Sequence, residues 1–303
     1  MKILLIAGGW SSEREISLKG AKIIEKTLLE MGHEVEFFDL LPQFDQLLAR
    51  AESADFAFLI LHGSPGEDGL VQAMLETGGI PYQGSGPAGS FLALSKAAAK
   101  QIFRRAGLPT ADWEFLPVPP KAGWEPSMPY PIFVKSNTGG SSLRLGRAAN
   151  RAELDKALGE IFAAGEEALL EPEIRGKELT CGILGNEPLP PVLIEPVCGD
   201  YFDYERKDAE TGARELCPAP IDEKITAMVQ EFAMAAHKAL GLSDYSRADF
   251  ILDTAGNLTL LEVNTLPGMT MTSLVPKEAK AIGLSFPELL AKLIELGMKK
   301  GKN

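Results

Sequence analysis

Cysteine, positive charge and long apolar runs are all scarce in this chain of 303 residues, and each shortage argues against a class of protein. The three cysteines form no CxxC pair, which argues against a disulfide framework and a cysteine-based zinc site. A net charge of −12 argues against a nucleic-acid partner, because phosphate backbones are bound by basic surfaces. No apolar run reaches the roughly 20 residues of a membrane span, and the short apolar N-terminus does not resemble a signal peptide. We therefore expect a cytoplasmic protein with no membrane insertion.

Apolar and amphipathic segments alternate through the first 85 residues, which predicts a doubly wound α/β lobe with a parallel sheet. Strands are predicted at 2–6, 35–40, 55–61 and, briefly, 80–82. Helices are predicted at 12–31 and 69–76, and Ser12 with Glu15 has the spacing of a capping box at the start of the first helix. At this length, two or three lobes that share a cleft are expected.

The rest of the chain mixes further helices with strands that are expected to be antiparallel. Proline is concentrated between residues 116 and 130, which is typical of a connection between lobes. Helices are predicted at 95–106, 149–163 and 222–240 and from 285 onward, and strands at 132–135 and 168–171.

A hairpin is the strongest local signal, because the β-rich runs 245–253 and 258–264 flank a four-residue connection that contains glycine. If Asp253 pairs with the first residue of the second run, Asp249 faces Glu262 and Arg247 faces Asn264. Facing carboxylates about 5 Å apart repel each other unless a cation lies between them. Two carboxylates and an amide oxygen are hard ligands suited to Mg²⁺. The alternative is an exposed, charged edge of a sheet.

The chain has phosphate-binding signals, although it lacks the P-loop and GxGxxG motifs. The absence of GxGxxG also argues against an NAD-dependent dehydrogenase. Lys135 ends a strand before Gly139 and Gly140, where exposed N–H groups and an ammonium complement phosphate charge. The alternative is an ordinary hairpin turn. Glu171 precedes a proline that removes a ladder hydrogen bond, so this segment has the means to bind an adenine edge while Glu178 accepts from ribose. The alternative there is a simple turn.

Taken in order, these segments resemble the D-alanine–D-alanine ligases of the ATP-grasp superfamily. The resemblance runs nearly end to end through GGWSSEREISL, LHGSPGEDGLVQAMLE, IPYQGSG, VKSNTGGSS, EPEIRGKELT, FDYERKD, CPAP, RADF and LEVNTLPGMTMTSLVP. It implies an N-terminal substrate-binding α/β lobe at 1–88. It also implies two α+β ATP-grasp lobes that clamp ATP, a central one at 89–178 and a C-terminal one at 179–303.

The resemblance also implies a role for each matching residue. The ATP-binding residues implied are Lys96, Lys135, Glu171, Ile174, Glu178 and Lys207. The ligands implied for two Mg²⁺ ions, with Mn²⁺ as a substitute, are Asp249, Glu262 and Asn264. The catalytic residues implied are Glu13, Ser141, Arg247 and Gly268. The residues implied to bind the amino-acid substrates are Glu13, His62, Ser273 and Leu274.

Three of these residues also have a structural interpretation. An acid such as Glu13 is favoured in a first helical turn by the helix dipole alone. His62 follows a buried strand, where a core histidine is the alternative, and Ser273 is equally typical of a cap on the next helix or turn.

The activity implied is an ATP-dependent carboxylate–amine ligase that joins two D-alanines through an acyl phosphate for peptidoglycan precursor synthesis. A homodimer is implied as well. Three positions depart from the family pattern: Asp208 and Phe202 replace tyrosines in the lid loop, and Arg144 replaces a glycine. The alternatives are therefore a ligase that uses D-lactate or D-serine as its second substrate, or a catalytically weak ATP-binding homologue.

Overall fold

Three β-sheets organise the computed structural model, which describes residues 1–41, 43–140, 144–196 and 213–300. Within those ranges, the helices are all too short or too polar to cross a bilayer.

The first sheet is parallel, with strand order β2-β1-β3, as the sequence predicts. Its strands are β1 (Lys2–Ala7), β2 (Glu34–Asp39) and β3 (Phe56–Ile60). The helices of this part are α1 (Arg14–Glu30), α2 (Leu47–Ala51) and α3 (Leu70–Thr77). The strand predicted at 80–82 is reduced to a single bridge between Ala57 and Tyr82.

The start of α1 differs from the predicted capping box. Glu13 is the N-cap residue and no side chain caps the helix, so the assignment of Ser12 and Glu15 as a capping box is wrong. Instead, the Ser11 hydroxyl accepts the backbone N–H of Glu13 at 3.2 Å, and the Ser11 carbonyl accepts the N–H of Arg14. This turn delays the helix by two residues relative to the prediction.

The second sheet is antiparallel, with strand order β4-β7-β5-β6. Its strands are β4 (Glu114–Leu116), β5 (Ile132–Ser136), β6 (Gly146–Ala148) and β7 (Ala168–Pro172). The helices that precede or cover it are α4 (Pro87–Leu94), α5 (Lys96–Arg105) and α6 (Arg151–Ala163). The prediction missed β4 and β6, because three residues are too few to establish a period-2 pattern.

The third sheet is also antiparallel and has the order β11-β10-β8-β12-β13, with β9 paired to β8. Its strands are β8 (Gly176–Leu184), β9 (Glu187–Pro188), β10 (Val192–Pro196), β11 (Ala213–Leu216), β12 (Tyr245–Asp253) and β13 (Leu258–Asn264). The helices of this region are α7 (Glu223–Ala239), between β11 and β12, and α8 (Leu274–Ala281), after β13.

The last helix, α9 (Phe286–Lys300), returns to the beginning of the chain. Its buried residues Leu289, Leu290 and Leu293 share one apolar core with β1 and β3. Helix α5 likewise crosses between regions, since Phe103 packs in the core of the third sheet. The division at residues 88 and 178 therefore stays a prediction about lobes whose helices cross the proposed boundaries.

Candidate active site

The β12–β13 hairpin places its polar side chains as predicted, by a route that differs from the prediction. Asp249 faces Glu262 and Arg247 faces Asn264. Near the turn, however, Leu252 and not Asp253 faces Leu258, so the predicted pairing at the turn is wrong by one residue. A β-bulge after Asp249 absorbs the difference and restores the expected register at the site.

Cations in the structure balance both facing carboxylates. Arg247 donates twice to Asp249, from Nε to Oδ1 at 2.9 Å and from Nη2 to Oδ2 at 2.8 Å. Burial opposes the charge on Arg247, but Asp249 outweighs it and raises the pKa of the guanidinium. The ammonium of Lys96 lies 3.2 Å from Glu262 Oε2. Two nearby carboxylates, each with a cation beside it, are compatible with an additional bound metal that would draw on the same oxygens.

The donor set fits Mg²⁺ only if a ligand outside the protein completes it. Across the described ranges, no cluster of three or more histidine, cysteine, aspartate or glutamate side chains is arranged for a metal. The third predicted ligand, Asn264, is an amide whose Oδ1 accepts the N–H of Leu266 at 3.1 Å. Mg²⁺ commonly takes one or two carboxylates and completes its shell with water and phosphate oxygens.

A cavity of about 730 Å³ lies beside this hairpin, between the second and third sheets. Its volume falls in the range of small-molecule and cofactor sites. Seven of the residues predicted to bind ATP or metal line it: Lys96, Lys135, Glu171, Ile174, Glu178, Asp249 and Glu262. The bulge adds Leu261 to the same wall. The structure therefore gathers around one cavity side chains that the sequence spreads over more than 160 positions.

A buried ionic group underlies the lysine wall of the cavity. Glu171, only 4% exposed, contacts the ammonium groups of both Lys135 and Lys100. Burial disfavours the charged form of Glu171, yet the two lysines outweigh it and lower the pKa of the carboxyl. Burial also opposes the charge on Lys135, and Glu171 with Glu262 reverses this effect and raises its pKa. Sequence reasoning missed Lys100, although its spacing of four from Lys96 places both on one face of α5.

A second group of titratable side chains lies near Arg247. Glu13 is 8% exposed, and a Cβ added to Gly140 would lie 2.6 Å from its Oε2. Burial lowers the pKa of His62, and the nearby Glu13 carboxylate opposes that effect. The His62 side chain is half-buried and is close enough to Glu13 to interact with it.

Glu67 belongs to this group and is absent from the predicted site residues. Its Oε2 accepts the N–H of Gly63 at 2.7 Å, and its Oε1 accepts the N–H of Leu266 at 3.3 Å. Burial, with Glu13 nearby, raises the pKa of Glu67 to about 7. Its position in the GEDG segment was a usable signal, since this segment forms part of the resemblance.

The loop after β13 brings Gly268 and Ser273 together. A Cβ added to Gly268 would lie 3.0 Å from Ser273 Oγ. Ser273 stands at the N-cap position of α8, directly before Leu274, but its side chain does not cap that helix. Its hydroxyl accepts the N–H of Thr270 at 3.0 Å and so closes the preceding turn.

Family models match most of the chain. The model described as D-ala D-ala ligase C-terminus matches residues 102–295, and the one described as D-ala D-ala ligase N-terminus matches residues 42–85. The chain belongs to the D-alanine–D-alanine ligase family. The predicted family and the predicted α/β fold with ATP-grasp lobes are confirmed.

Relatives within the D-alanine–D-alanine ligase family are similar over nearly their whole length. The D-alanine–D-alanine ligase of Desulfovibrio desulfuricans is 68% identical over 298 residues, covering 98% of this chain and 97% of that protein. The one from Lawsonia intracellularis is 54% identical over 299 residues, covering 99% of each. A crystal structure of the Bacillus anthracis enzyme complexed with ATP matches with a TM-score of 0.86 at 32% identity, covering 100% of this chain and 99% of that one.

Four of the residues singled out from the family resemblance fall outside the described residues, namely Ser141, Lys207, Asp208 and Phe202. Arg144, where the family usually has glycine, is described and has a φ of 56°. Glycine adopts this left-handed conformation readily, whereas a residue with a Cβ is strained there by about 1–2 kcal/mol. The guanidinium of Arg144 lies 3.2 Å from Glu166.

Glu278 in α8 is a further buried acid near the β12–β13 hairpin. It is fully buried, and its Oε1 accepts the N–H of Gly182, the residue of β8 that faces Arg247. Burial raises the pKa of Glu278 to about 8, and Arg247 opposes the shift only in part. A Cβ on Gly182 would lie 2.5 Å from Glu278 Oε2, so glycine is required to make room for the carboxyl group.

Proposed function

We propose that this chain is an ATP-dependent ligase that joins two D-alanines into D-alanyl-D-alanine through an acyl-phosphate intermediate. The observation that carries the proposal is the pairing of Asp249 with Glu262 across a bulged hairpin, at the wall of a nucleotide-sized cavity. Lys96 and Lys135 line the same cavity, where ammonium groups are suited to phosphate. Membership of the D-alanine–D-alanine ligase family supports the choice of substrates.

ATP is the nucleotide proposed for the cavity between the second and third sheets. Ile174 and the Glu171 segment would contact adenine, Glu178 would accept from the ribose, and Lys96 and Lys135, joined by Lys207, would bind phosphates. Asp249, Glu262 and Asn264 would hold two Mg²⁺ ions, or Mn²⁺ in their place. Bound metal ions would neutralise phosphate charge and hold the phosphate chain in place.

In the first step, a carboxylate oxygen of the first D-alanine attacks the γ-phosphorus, the bond to the β-phosphate oxygen breaks, and ADP leaves. Glu13 would hold the ammonium group of that substrate, beside His62 and linked through Ser141 to the lid. Arg247 would stabilise the charge on the transferred phosphoryl group. The protein contributes mainly by positioning reactants and stabilising charge in this reaction class.

In the second step, the free amine of the second D-alanine attacks the acyl carbon. The backbone N–H of Gly268 and Arg247 would stabilise the tetrahedral oxyanion, and Ser273 with Leu274 would receive the substrate carboxylate. The intermediate collapses to the amide, phosphate leaves, and the amine releases a proton to solvent. Exclusion of water protects the acyl phosphate from hydrolysis.

The test is release of ADP by the purified chain in the presence of ATP, Mg²⁺ and a panel of D-alanine, D-serine, D-lactate and L-alanine. D-alanine alone is expected to give ADP and the dipeptide in equal amounts. Asp249→Asn and Glu262→Gln are each expected to reduce turnover by at least about 100-fold, because they weaken metal and phosphate binding. Glu187→Gln, an exposed change on the same sheet, serves as the control.

The outcomes separate the alternatives. Formation of an ester from D-alanine and D-lactate would identify D-lactate as the second substrate. ATP binding with no ADP release from any of these compounds would instead indicate an ATP-binding homologue without ligase activity. Near-normal turnover by both hairpin variants would contradict the assignment of the metal ligands.

Several broader features belong to the same proposal. A supply of peptidoglycan precursor implies action in the cytoplasm, where ATP is available. The division into lobes at 1–88, 89–178 and 179–303 and the homodimer are supported by the family resemblance. Light scattering of the purified chain tests the homodimer, and a monomeric mass at micromolar concentration would contradict it.

A further inference from the structure

Helix α5 presents two lysines one turn apart, and their surroundings differ. Lys96 lines the cavity and donates to the carbonyl of Gly139 at 2.7 Å. Lys100 is fully buried and does not line the cavity. Its ammonium contacts Glu171, donates to Thr110 Oγ1 at 2.7 Å and lies 5.6 Å from the centroid of the Trp113 ring. A buried ammonium of this kind is stabilised only by such partners.

The Glu171 carboxylate lies between two lysines. Lys100 contacts Oε1 from the closed side, and Lys135 contacts Oε2 from the cavity side. Glu171 and Lys135 both line the cavity, so a bound nucleotide would meet these two residues but not Lys100. The cluster of Lys100, Lys135 and Glu171 therefore contains two ammonium groups and one carboxylate.

The presence of Lys100 affects how strongly Glu171 holds the ammonium group of Lys135. In a site with little water, a carboxylate with one ammonium partner holds it tightly, because separation leaves both charges unsolvated. If Lys135 were the sole partner of Glu171, its charge would be taken up by that pair, and a phosphate would have to compete for it. With Lys100 on the opposite oxygen, Glu171 keeps a partner while Lys135 turns its charge toward a phosphate.

We infer that Lys100 is a positioning residue for ATP, which neutralises Glu171 from behind the cavity wall and thereby leaves Lys135 available to the phosphate groups. The inference rests on the proposed function for the identity of the nucleotide. It explains why a fully enclosed lysine occupies α5, where an apolar residue would fill the same space without the penalty of burying a charge.

The decisive comparison uses the full chain and four variants: Lys100→Met, Glu171→Gln, the double variant Lys100→Met/Glu171→Gln, and Thr110→Val. Calorimetry gives the dissociation constant of ATP with Mg²⁺, and ADP release with D-alanine gives KM and kcat. Thr110→Val is the matched control, because it removes the hydroxyl partner of Lys100 and leaves the charges in place.

Lys100→Met is expected to weaken ATP binding by about tenfold or more and to change kcat by less than about threefold, because the lost interaction acts on nucleotide binding. Thr110→Val is expected to stay within about twofold of the parent chain, because the ion pair between Lys100 and Glu171 stays in place. The double variant is expected to bind ATP at least about threefold more tightly than Lys100→Met, because the side chain at position 171 no longer carries a charge that holds Lys135.

A double variant that binds ATP as weakly as Lys100→Met would overturn the inference, as would an unchanged dissociation constant in Lys100→Met. If Lys100→Met does not fold, the double variant decides alone: binding within about threefold of the parent supports the inference, and binding about tenfold weaker refutes it. A parent chain that binds ATP and releases no ADP with D-alanine would instead refute the proposed function and leave the binding comparison valid.

Discussion

Replacement of Glu278 by glutamine tests whether this buried acid is protonated in the folded chain. Glutamine keeps an oxygen acceptor for the N–H of Gly182 and cannot ionise. The folded pKa of Glu278 is about 8, against an ordinary value of 4.5. Between these two values the folded chain holds a proton that the unfolded chain has lost. The free energy of unfolding therefore falls as the pH rises through this interval and becomes constant above it.

The magnitude follows from the width of the interval. Each pH unit in this range changes the free energy of unfolding by about 1.4 kcal/mol for one proton. Over the full interval the loss amounts to at most about 5 kcal/mol, which the glutamine variant avoids. Because the two chains are otherwise identical, the other titrating groups cancel when their stabilities are compared at each pH.

The assay is thermal unfolding of both chains from pH 5 to pH 8. The Tm difference in favour of Glu278→Gln is expected to grow by several degrees across this range, since about 1 kcal/mol shifts Tm by roughly 2 °C in a large domain. Glu52→Gln, at an exposed position, is the control and is expected to follow the parent at every pH. Parallel curves for Glu278→Gln and the parent would show that Glu278 is charged in the folded chain and would refute the reasoning.

Three further predictions concern glycines with little room for a side chain and a buried histidine. Gly69 has a φ of 86°, and a Cβ there would lie 2.4 Å from the carbonyl oxygen of the first α4 residue, so Gly69→Ala is expected to lower the free energy of unfolding by at least about 2 kcal/mol. Gly107 has a φ of 74° and open space around it, so Gly107→Ala is expected to lower it by only about 1 kcal/mol. Urea unfolding measures both changes. Gly140→Ala would press on Glu13 and is expected to raise the KM for D-alanine by about tenfold with a smaller effect on the dissociation constant of ATP; equal KM values would contradict the assigned role of Glu13. Burial lowers the pKa of His237 to about 4, so the unfolded chain binds a proton at this position before the folded chain does as the pH falls from 6.5. The free energy of unfolding of His237→Gln is therefore expected to fall less than that of the parent between pH 7 and pH 4, as measured by paired urea titrations.

The sequence predicts the β12–β13 hairpin well because its signal is local. Alternation with a period of two fixes which side chains share a face, so Asp249 and Glu262 are paired correctly. The bulge is not predictable from that pattern, because one extra residue in β13 shifts the register near the turn and leaves the site unchanged. Two errors of one residue, one at the turn and one at the bulge, therefore cancel.

The buried charges were harder to predict than the strands. Lys100 and Glu278 lie in amphipathic helical segments, where lysine and glutamate usually face water. Only the packed structure shows that Lys100 contacts Glu171, which lies in a strand 71 positions further along the chain. The same holds for the hydrogen bond between Glu278 and Gly182, which lies far earlier in the chain. Long-range pairs of this kind leave no periodic signal in a single sequence.

The packing of α9 against the first sheet has a consequence for biosynthesis. A ribosome releases the β1–β3 region long before it reaches Leu289, Leu290 and Leu293, which complete the core of that region. Until those residues emerge, part of the apolar face of the first sheet stays uncovered in the nascent polypeptide. Domains usually fold in order from the N-terminus onward. In this chain, by contrast, the core of the first segment to be synthesised is among the last to be completed.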